Sequence, residues 1–560
     1  MEVDIIKTAG FWATDTVFDP ATRQEIQALL DADDEAQLKD RFYRSLDFGT
    51  GGLRGVMGAG TNRMNLYTVR IATAGLANYV LGLAGSSGRG ICIAYDTRLN
   101  SATFARETAS VLAAMGIKTY IYDDARPVPQ LSFTVRHVGA MAGVCITASH
   151  NPPEYNGYKV YFEDGGQITP PHDAGIINEV RKITDIKAIP TMPFDSGVKR
   201  GLIEIISDDG PYLAEVMKQS IVPIVDNLKI VYTPLHGSGR LIVPKALSTM
   251  GFTHIIPVTG QMEPDGNFST VRSPNPEEHE SFTMALKYAT DNDADIAIAT
   301  DPDCDRFGVA VKKGDRGYVL LNGNQVGVLL VDYILTSLYG MGKLGGRPGK
   351  ATNCAVVKTI VTTDLVRAIC DGFGVECIDL LTGFKYIGEW IKKNPDREFL
   401  FGCEESYGYL RGTYARDKDA VLAAVLVCEM ASYYKTAGTS LYGRLIDIYG
   451  KYGFYSESLK SVTMKGIDGA KKIETLMASY RDGHMRPEGF EVLDYQSGLK
   501  GLPPSNVVSF VAADGSRATV RPSGTEPKIK YYFSAKGKSL DEAQGRLKEL
   551  EERFAFHESN

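Results

Sequence analysis

The chain has 560 residues, more than one hydrophobic core accommodates, and at about 100 to 200 residues per domain it is predicted to form several domains. A hydrophobic fraction of 44% with 23% charged residues is that of an ordinary globular protein and excludes a disordered or fibrous chain. The net charge of -7, with a pI of about 5.8, argues against nucleic-acid or anionic-membrane binding through a global field and points to a small-molecule partner.

The preface, residues 1 to about 45, reads as helical: Asp19-Pro20 is a start signal, and Ile26, Leu29 and Leu30 recur at helical spacing. Its expected role is packing. In Phe48-Gly49-Thr50-Gly51-Gly52-Leu53-Arg54-Gly55, glycines let the backbone approach a ligand while Arg54 projects from the same loop; a flexible surface turn explains it equally well. From 65 to 205 the pattern alternates: helical Val69 to Leu83, strand-like Gly90 to Tyr95, helical Ala102 to Met115, strand Lys118 to Tyr122, strand Gly143 to Thr147. That alternation predicts a mostly parallel sheet. A second unit runs from strand Leu228 to Tyr232 to strand Asp295 to Ala299. A third has helical Val326 to Leu338 and strand Ala355 to Lys358, and the last has strand Ile529 to Phe533 and a charged helix from Leu540.

The eight cysteines form no C-x-x-C pair, which suits reduced thiols in the cytoplasm. Glu2 and Asp4 stand where a signal peptide is basic, and the longest apolar run, Ala420 to Cys428, is too short to span a bilayer, so neither export nor membrane insertion is expected.

Thr147-Ala148-Ser149-His150-Asn151-Pro152-Pro153 sets a hydroxyl beside an imidazole at the carboxyl end of a buried strand, where α/β proteins place ligands. Pro152 and Pro153 fix φ and remove two donors, so Ser149 sits on a stiff loop. In Asp301-Pro302-Asp303-Cys304-Asp305-Arg306-Phe307-Gly308 three carboxylates alternate after a strand, and their repulsion calls for a cation. Mg²⁺ with oxygen ligands fits, a solvated acidic turn is the plain alternative, and an EF-hand is excluded because Arg306 and Lys312 stand where Gly and Glu are needed. Gly402-Cys403-Glu404-Glu405-Ser406-Tyr407-Gly408 suits sugar hydroxyls or begins a helix. Arg416-Asp417-Lys418-Asp419 by itself reads as a solvated patch. Arg521-Pro522-Ser523-Gly524-Thr525-Glu526-Pro527-Lys528 is a phosphate clamp or a turn into the next strand. Together these loops describe phosphoryl transfer on a phosphosugar.

With TASHNPPEYNGYKVY at 147 to 161, DPDCDRFG at 301 to 308, FGCEESYGY at 401 to 409 and RPSGTEPKIK at 521 to 530 in order, the chain resembles the α-D-phosphohexomutase superfamily, nearest its bacterial phosphoglucomutase branch. The resemblance implies an α/β fold of three similar mixed α/β sheet domains plus a smaller α+β C-terminal domain around a central active-site cleft. The expected boundaries are 1-206 for the preface and phosphoserine domain, 207-324 for a metal-binding domain, 325-454 for a sugar-binding domain and 455-560 for a phosphate-binding domain. It implies that Ser149 is carried as phosphoserine, that Mg²⁺ is held by its phosphate with Asp301, Asp303 and Asp305, and that glucose 1,6-bisphosphate primes the enzyme. Arg54, His150, Lys159, Arg306 and Lys418 fall at reaction-centre positions, with Lys418 or His150 for acid/base work. Glu404 and Ser406 match sugar contacts, and Arg521, Ser523, Gly524 and Thr525 match the clamp. The expected reaction interconverts glucose 1-phosphate and glucose 6-phosphate. Phosphomannomutase or phosphopentomutase activity and a non-catalytic sugar-phosphate sensor are the rivals. A Ser hydrolase is excluded by the missing G-x-S-x-G, and oligomeric state leaves no trace in the sequence.

Overall fold

A computed structural model describes residues 2–46, 48–49, 51–86, 88–314, 317–344, 353–464, 466–485, 488–523 and 528–554. The chain divides into two compact units. One holds Met1–Leu321, Ile387–Asp396 and Tyr407–Thr436; the other holds Asn322–Tyr386, Arg397–Ser406 and Ala437–Asn560.

The first unit opens with the helices Glu2–Thr14, Pro20–Asp31 and Glu35–Phe42. Asp19 caps the second through its carboxylate, with Pro20 at the first helical position. Trp12, Phe18, Ile26 and Phe42 close over Tyr67 in one apolar cluster, so the preface packs as expected. A six-stranded sheet follows in the order Gly52–Val56, Tyr155–Phe162, Ala142–Ile146, Ile91–Tyr95, Thr119–Tyr122, Ile203–Ile206. Its last four strands are parallel and its first two antiparallel. Ile91–Tyr95 and Ala142–Ile146 are buried along their whole length, as central strands covered on both faces must be. Gly52 is required on the edge strand. Its φ is +137°, and a Cβ there would lie 1.8 Å from the Tyr158 carbonyl.

The second sheet of this unit runs Tyr318–Leu321, Phe307–Lys312, Ile296–Thr300, Ile230–Thr233, Ile255–Pro257, antiparallel as far as Ile296–Thr300 and parallel beyond it. The strand Phe307–Lys312 escaped the sequence reading because it is buried on both faces and shows no alternation. The apolar run at 420 belongs to the buried helix Ala420–Thr436, which packs on Gly239–Met250. Glu429 within it accepts from the main chain of Ile221 and Val222 and from the Ser220 hydroxyl. Among the described residues no single helix is long and apolar enough to cross a membrane.

In the second unit Glu376–Leu380, Cys354–Thr359 and Glu398–Glu404 lie parallel. An antiparallel sheet orders Phe454–Thr463, Lys528–Gly537, Arg517–Pro522, Val508–Ala512 and Phe490–Asp494. The helices Gly466–Asp482 and Leu540–Arg553 pack against it. The four sheets with their helices are the mixed α/β architecture expected.

Candidate active site

The strand Ala142–Ile146 delivers Thr147-Ala148-Ser149 to the carboxyl edge of its sheet. Ser149 is 5% exposed and adopts φ +51°. A left-handed non-glycine residue of this kind persists only where its surroundings fix it. Its N–H donates to Thr147 Oγ1 at 2.8 Å, and its Oγ donates to Asp303 Oδ2 at 2.8 Å. Lys159, on the adjacent strand Tyr155–Phe162, donates from Nζ to Ser149 Oγ at 2.8 Å and to the same Asp303 oxygen at 2.8 Å. The hydroxyl therefore sits between an ammonium and a carboxylate.

Asp301, Asp303 and Asp305 follow the strand Ile296–Thr300 and are buried, and one oxygen from each lies within 4.8 Å of the others. The loop is set by Cys304 at φ +52° and by Asp301 Oδ1, which accepts from the N–H of Asp305 at 3.0 Å and of Arg306 at 2.9 Å. Asp303 O also receives the Val128 N–H at 2.9 Å, tying the loop to the first sheet domain. Asp301 Oδ2, Asp303 Oδ1 and Asp305 Oδ1 are buried without a hydrogen-bond partner. Three orphaned hard oxygens facing one another are a donor set for a divalent cation and a poor design for a solvated turn. Burial, then the neighbouring carboxylates, pushes Asp301 well above the ordinary carboxylate range. Burial also acts to raise Asp303, but the Lys159 charge and hydrogen bonds from Lys159 and Ser149 outweigh it and hold this carboxylate well below that range.

Burial acts to lower the pKa of Lys159, yet Asp303 and Asp305 overcome it and raise the value, so this residue stays an ammonium. Lys418 Nζ lies 2.9 Å from Asp305 Oδ2. The patch reading of 416–419 is overturned: Asp417 and Asp419 are buried, accepting from Tyr161 Oη at 2.9 Å and Tyr212 Oη at 2.8 Å respectively. Arg54 donates to Asn151 Oδ1 at 3.1 Å, and Arg306 pairs with Glu277. His150 keeps part of its surface exposed, but its Nδ1 is enclosed. Burial first, then the Arg306 and Arg54 charges, pushes its pKa well below the ordinary value, which leaves a neutral imidazole.

Glu404, Ser406, Arg521 and Ser523 lie in the second unit. Glu404 ends the strand Glu398–Glu404, and its Oε1 accepts the Gly383 N–H at 3.0 Å. This is a strand end, and the helix alternative for 402–408 fails. Glu405 Oε2 instead accepts the hydroxyls of Thr359 and Thr362 at 3.1 and 3.3 Å. Arg521 closes the strand Arg517–Pro522 against Lys528–Gly537, and the Ser523 N–H donates to Lys528 O at 2.7 Å. Thr50, Gly524 and Thr525 lie outside the described residues.

Asp96, Arg98 and Thr147 were missed as site residues. The signal was a charged pair directly after the strand Ile91–Tyr95, at the same sheet edge as Ser149.

Four family profiles match successive parts of the chain: phosphoglucomutase/phosphomannomutase alpha/beta/alpha domain I at 45–187, domain II at 211–314, domain III at 322–451, and the C-terminal domain at 466–552. The chain is 34% identical over 521 residues to a phosphoglucomutase of Staphylococcus saprophyticus, covering 90% of this chain and 92% of that protein. It is 36% identical over 538 residues to one of Staphylococcus epidermidis, covering 90% and 95%. Among solved structures it superposes on a putative phosphomannomutase of Thermus thermophilus with a TM-score of 0.66 at 22% identity, covering 91% of this chain and 99% of that one. It superposes on the open form of the Paramecium phosphoprotein pp63/parafusin with a TM-score of 0.69 at 16% identity, covering 91% and 95%. At those identities the two likenesses concern the fold.

Proposed function

The chain belongs to the phosphoglucomutase/phosphomannomutase family, and we propose that it interconverts glucose 1-phosphate and glucose 6-phosphate with Ser149 as phosphoryl carrier. The observation that carries this reading is the Ser149 hydroxyl held between the Lys159 ammonium and Asp303, beside buried carboxylate oxygens with no partner.

In the proposed cycle a sugar hydroxyl oxygen attacks the phosphorus on Ser149, the bond from phosphorus to Oγ breaks, and the product is a hexose 1,6-bisphosphate. Lys159, an ammonium at hydrogen-bond distance from Oγ, supplies the proton that the departing serine oxygen needs. The sugar hydroxyl loses one proton in exchange, to His150 or Lys418. His150 is neutral as a base must be, whereas Lys418 sits on Asp305. The second half runs backwards with the other phosphate, and Ser149 is phosphorylated again. Glucose 1,6-bisphosphate primes an unphosphorylated chain.

Asp301, Asp303 and Asp305, with a phosphate oxygen on Ser149, would hold Mg²⁺, which would neutralise charge developing on the transferring group. Arg54 and Arg306 are assigned to the phosphoryl oxygens. Glu404 and Ser406 are assigned to sugar hydroxyls, and Arg521 and Ser523 with Gly524 and Thr525 to the phosphate that does not react. The eight cysteines are buried and none is in a disulfide, which supports a cytoplasmic setting.

The test is kcat/KM for glucose 1-phosphate, mannose 1-phosphate and ribose 1-phosphate, with Mg²⁺ and the matching bisphosphate. The highest value is expected for glucose 1-phosphate. A preference for mannose or ribose would reassign the substrate, and no turnover on any of them would overturn the mutase reading.

A further inference from the structure

Behind the Ser149 loop lies a buried ion pair that no step above uses. Arg98 is 3% exposed and Asp96 2%, and Arg98 Nε stands 3.4 Å from Asp96 Oδ2. The guanidinium spends its donors on the loop's main chain. Nη1 donates to Pro152 O at 2.9 Å and Tyr155 O at 3.2 Å, Nη2 to Ser149 O at 2.5 Å and to Asn151 O, and Nε to Ser149 O at 3.2 Å. The Phe268 ring, with its centroid 4.9 Å away, covers the guanidinium. Asp96 Oδ1 accepts from Ser101 Oγ at 2.7 Å and from the Arg98 N–H at 3.0 Å, while its Oδ2 accepts from Thr147 Oγ1 at 2.6 Å. That same Thr147 oxygen accepts the Ser149 N–H and lies 3.1 Å from Asp303 Oδ2.

We infer that Asp96 and Arg98 are positioning residues for phosphoryl transfer, fixing the main chain around Ser149 so that its Oγ meets Asp303 and Lys159. The inference rests on the reading of Ser149 as phosphoryl carrier. A turn interrupted by Pro152 and Pro153 has no ladder to satisfy its carbonyls, and a guanidinium with five donors in a rigid fork is the side chain that can reach several at once. A buried guanidinium in turn needs an anion, which Asp96 provides. Through Thr147 the pair also fixes the amide of a residue held at φ +51°. The network ends on an oxygen of Asp303, so the position of the carrier and that of the acidic loop are set together.

The experiment compares Arg98→Lys and Thr147→Val with wild type, Thr147→Ser and Arg444→Lys. Lysine keeps the charge but not the fork. Valine replaces the hydroxyl by a methyl, and serine restores it. Arg444 pairs with buried Asp332 in the second unit at 2.7 Å and serves as a control for losing a guanidinium pair. Arg98→Lys and Thr147→Val are expected to lower kcat about 100-fold, the usual effect of misplacing a reacting group by an ångström, with KM for glucose 1-phosphate nearly unchanged. Phosphorylation of Ser149 by glucose 1,6-bisphosphate, followed by intact mass, should slow in proportion. Thr147→Ser should recover most of the rate, and Arg444→Lys should lose melting temperature without losing kcat. If Arg98→Lys does not fold, the Thr147 pair decides alone. Wild-type kcat in the folded Arg98 and Thr147 variants, or a loss that Arg444→Lys matches, overturns this inference while the carrier reading stands. A wild-type chain that turns over without phosphate on Ser149 overturns both.

Discussion

Asp303 touches both Ser149 Oγ and Lys159 Nζ and presents its second oxygen to the orphaned group. Asp303→Asn keeps the shape and removes a charge, so kcat is expected to fall roughly 10²–10³-fold, and the melting temperature at neutral pH is expected to fall as well, because the Lys159 ammonium loses the carboxylate that it holds ionised. An Asp303→Asn chain as active as wild type would remove Asp303 from the reaction. Chelation with EDTA is expected to abolish turnover reversibly, Mg²⁺ restoring it. Activity that survives exhaustive chelation would contradict the cation reading of the triad. At this scale the sequence was legible where chemistry is written in side chains close together: Ser149 with His150, and three Asp within five residues. Arg98 was not, because its partners are main-chain carbonyls that any residue supplies.

The strand Phe454–Thr463 holds a carboxyl group in an unfavourable place. Glu457 keeps some solvent exposure as a residue, but its Oε1 is buried with no hydrogen-bond partner, and it is the carboxyl end that titrates. Burial lifts its pKa to about 7; a hydrogen bond with Thr363 lowers it and the charge of Asp364 raises it, both less than burial does. A folded acid with a raised pKa binds its proton where the unfolded chain has lost it. Its stability contribution is therefore greatest below the unfolded value of 4.5 and declines as pH rises to about 7, by at most about 3 kcal/mol. Glu457→Gln should remove this loss, melting higher than wild type at pH 8 and with a flatter profile from pH 5 to 8. An unchanged profile would contradict it. The same strand was invisible in the sequence because its residues are half-buried or exposed and give no alternation, whereas Ile91–Tyr95 and Cys354–Thr359 were legible as short apolar runs.

Within the second unit, Tyr495 and Val507 pack against residues that follow the strands Cys354–Thr359 and Glu376–Leu380. Ile360 and Leu381 form one apolar cluster with Tyr495 and Val507. Arg517 donates to Ile360 O at 3.3 Å and lies 3.4 Å from Asp364. Such long-range contacts leave no local pattern, so they could not be read from the chain. A protein ending at residue 454 is expected to melt below the full chain and, lacking the proposed phosphate clamp of Arg521 and Ser523, to hydrolyse phosphate more often per mutase turnover, since water competes with a sugar that is held less firmly. An unchanged ratio of phosphatase to mutase activity would argue against assigning the clamp to Arg521 and Ser523. The carrier role of Ser149 has a more direct test: mass spectrometry of the chain after glucose 1,6-bisphosphate and again after a chase with glucose 6-phosphate. With an isotope-labelled phosphate on the primer, one labelled phosphate is expected on the Ser149 peptide, exchanged in the chase for the unlabelled phosphate of the sugar and never acquired by Ser149→Ala; phosphate on another residue, a label that does not exchange, or a chain that turns over without acquiring any, would contradict it.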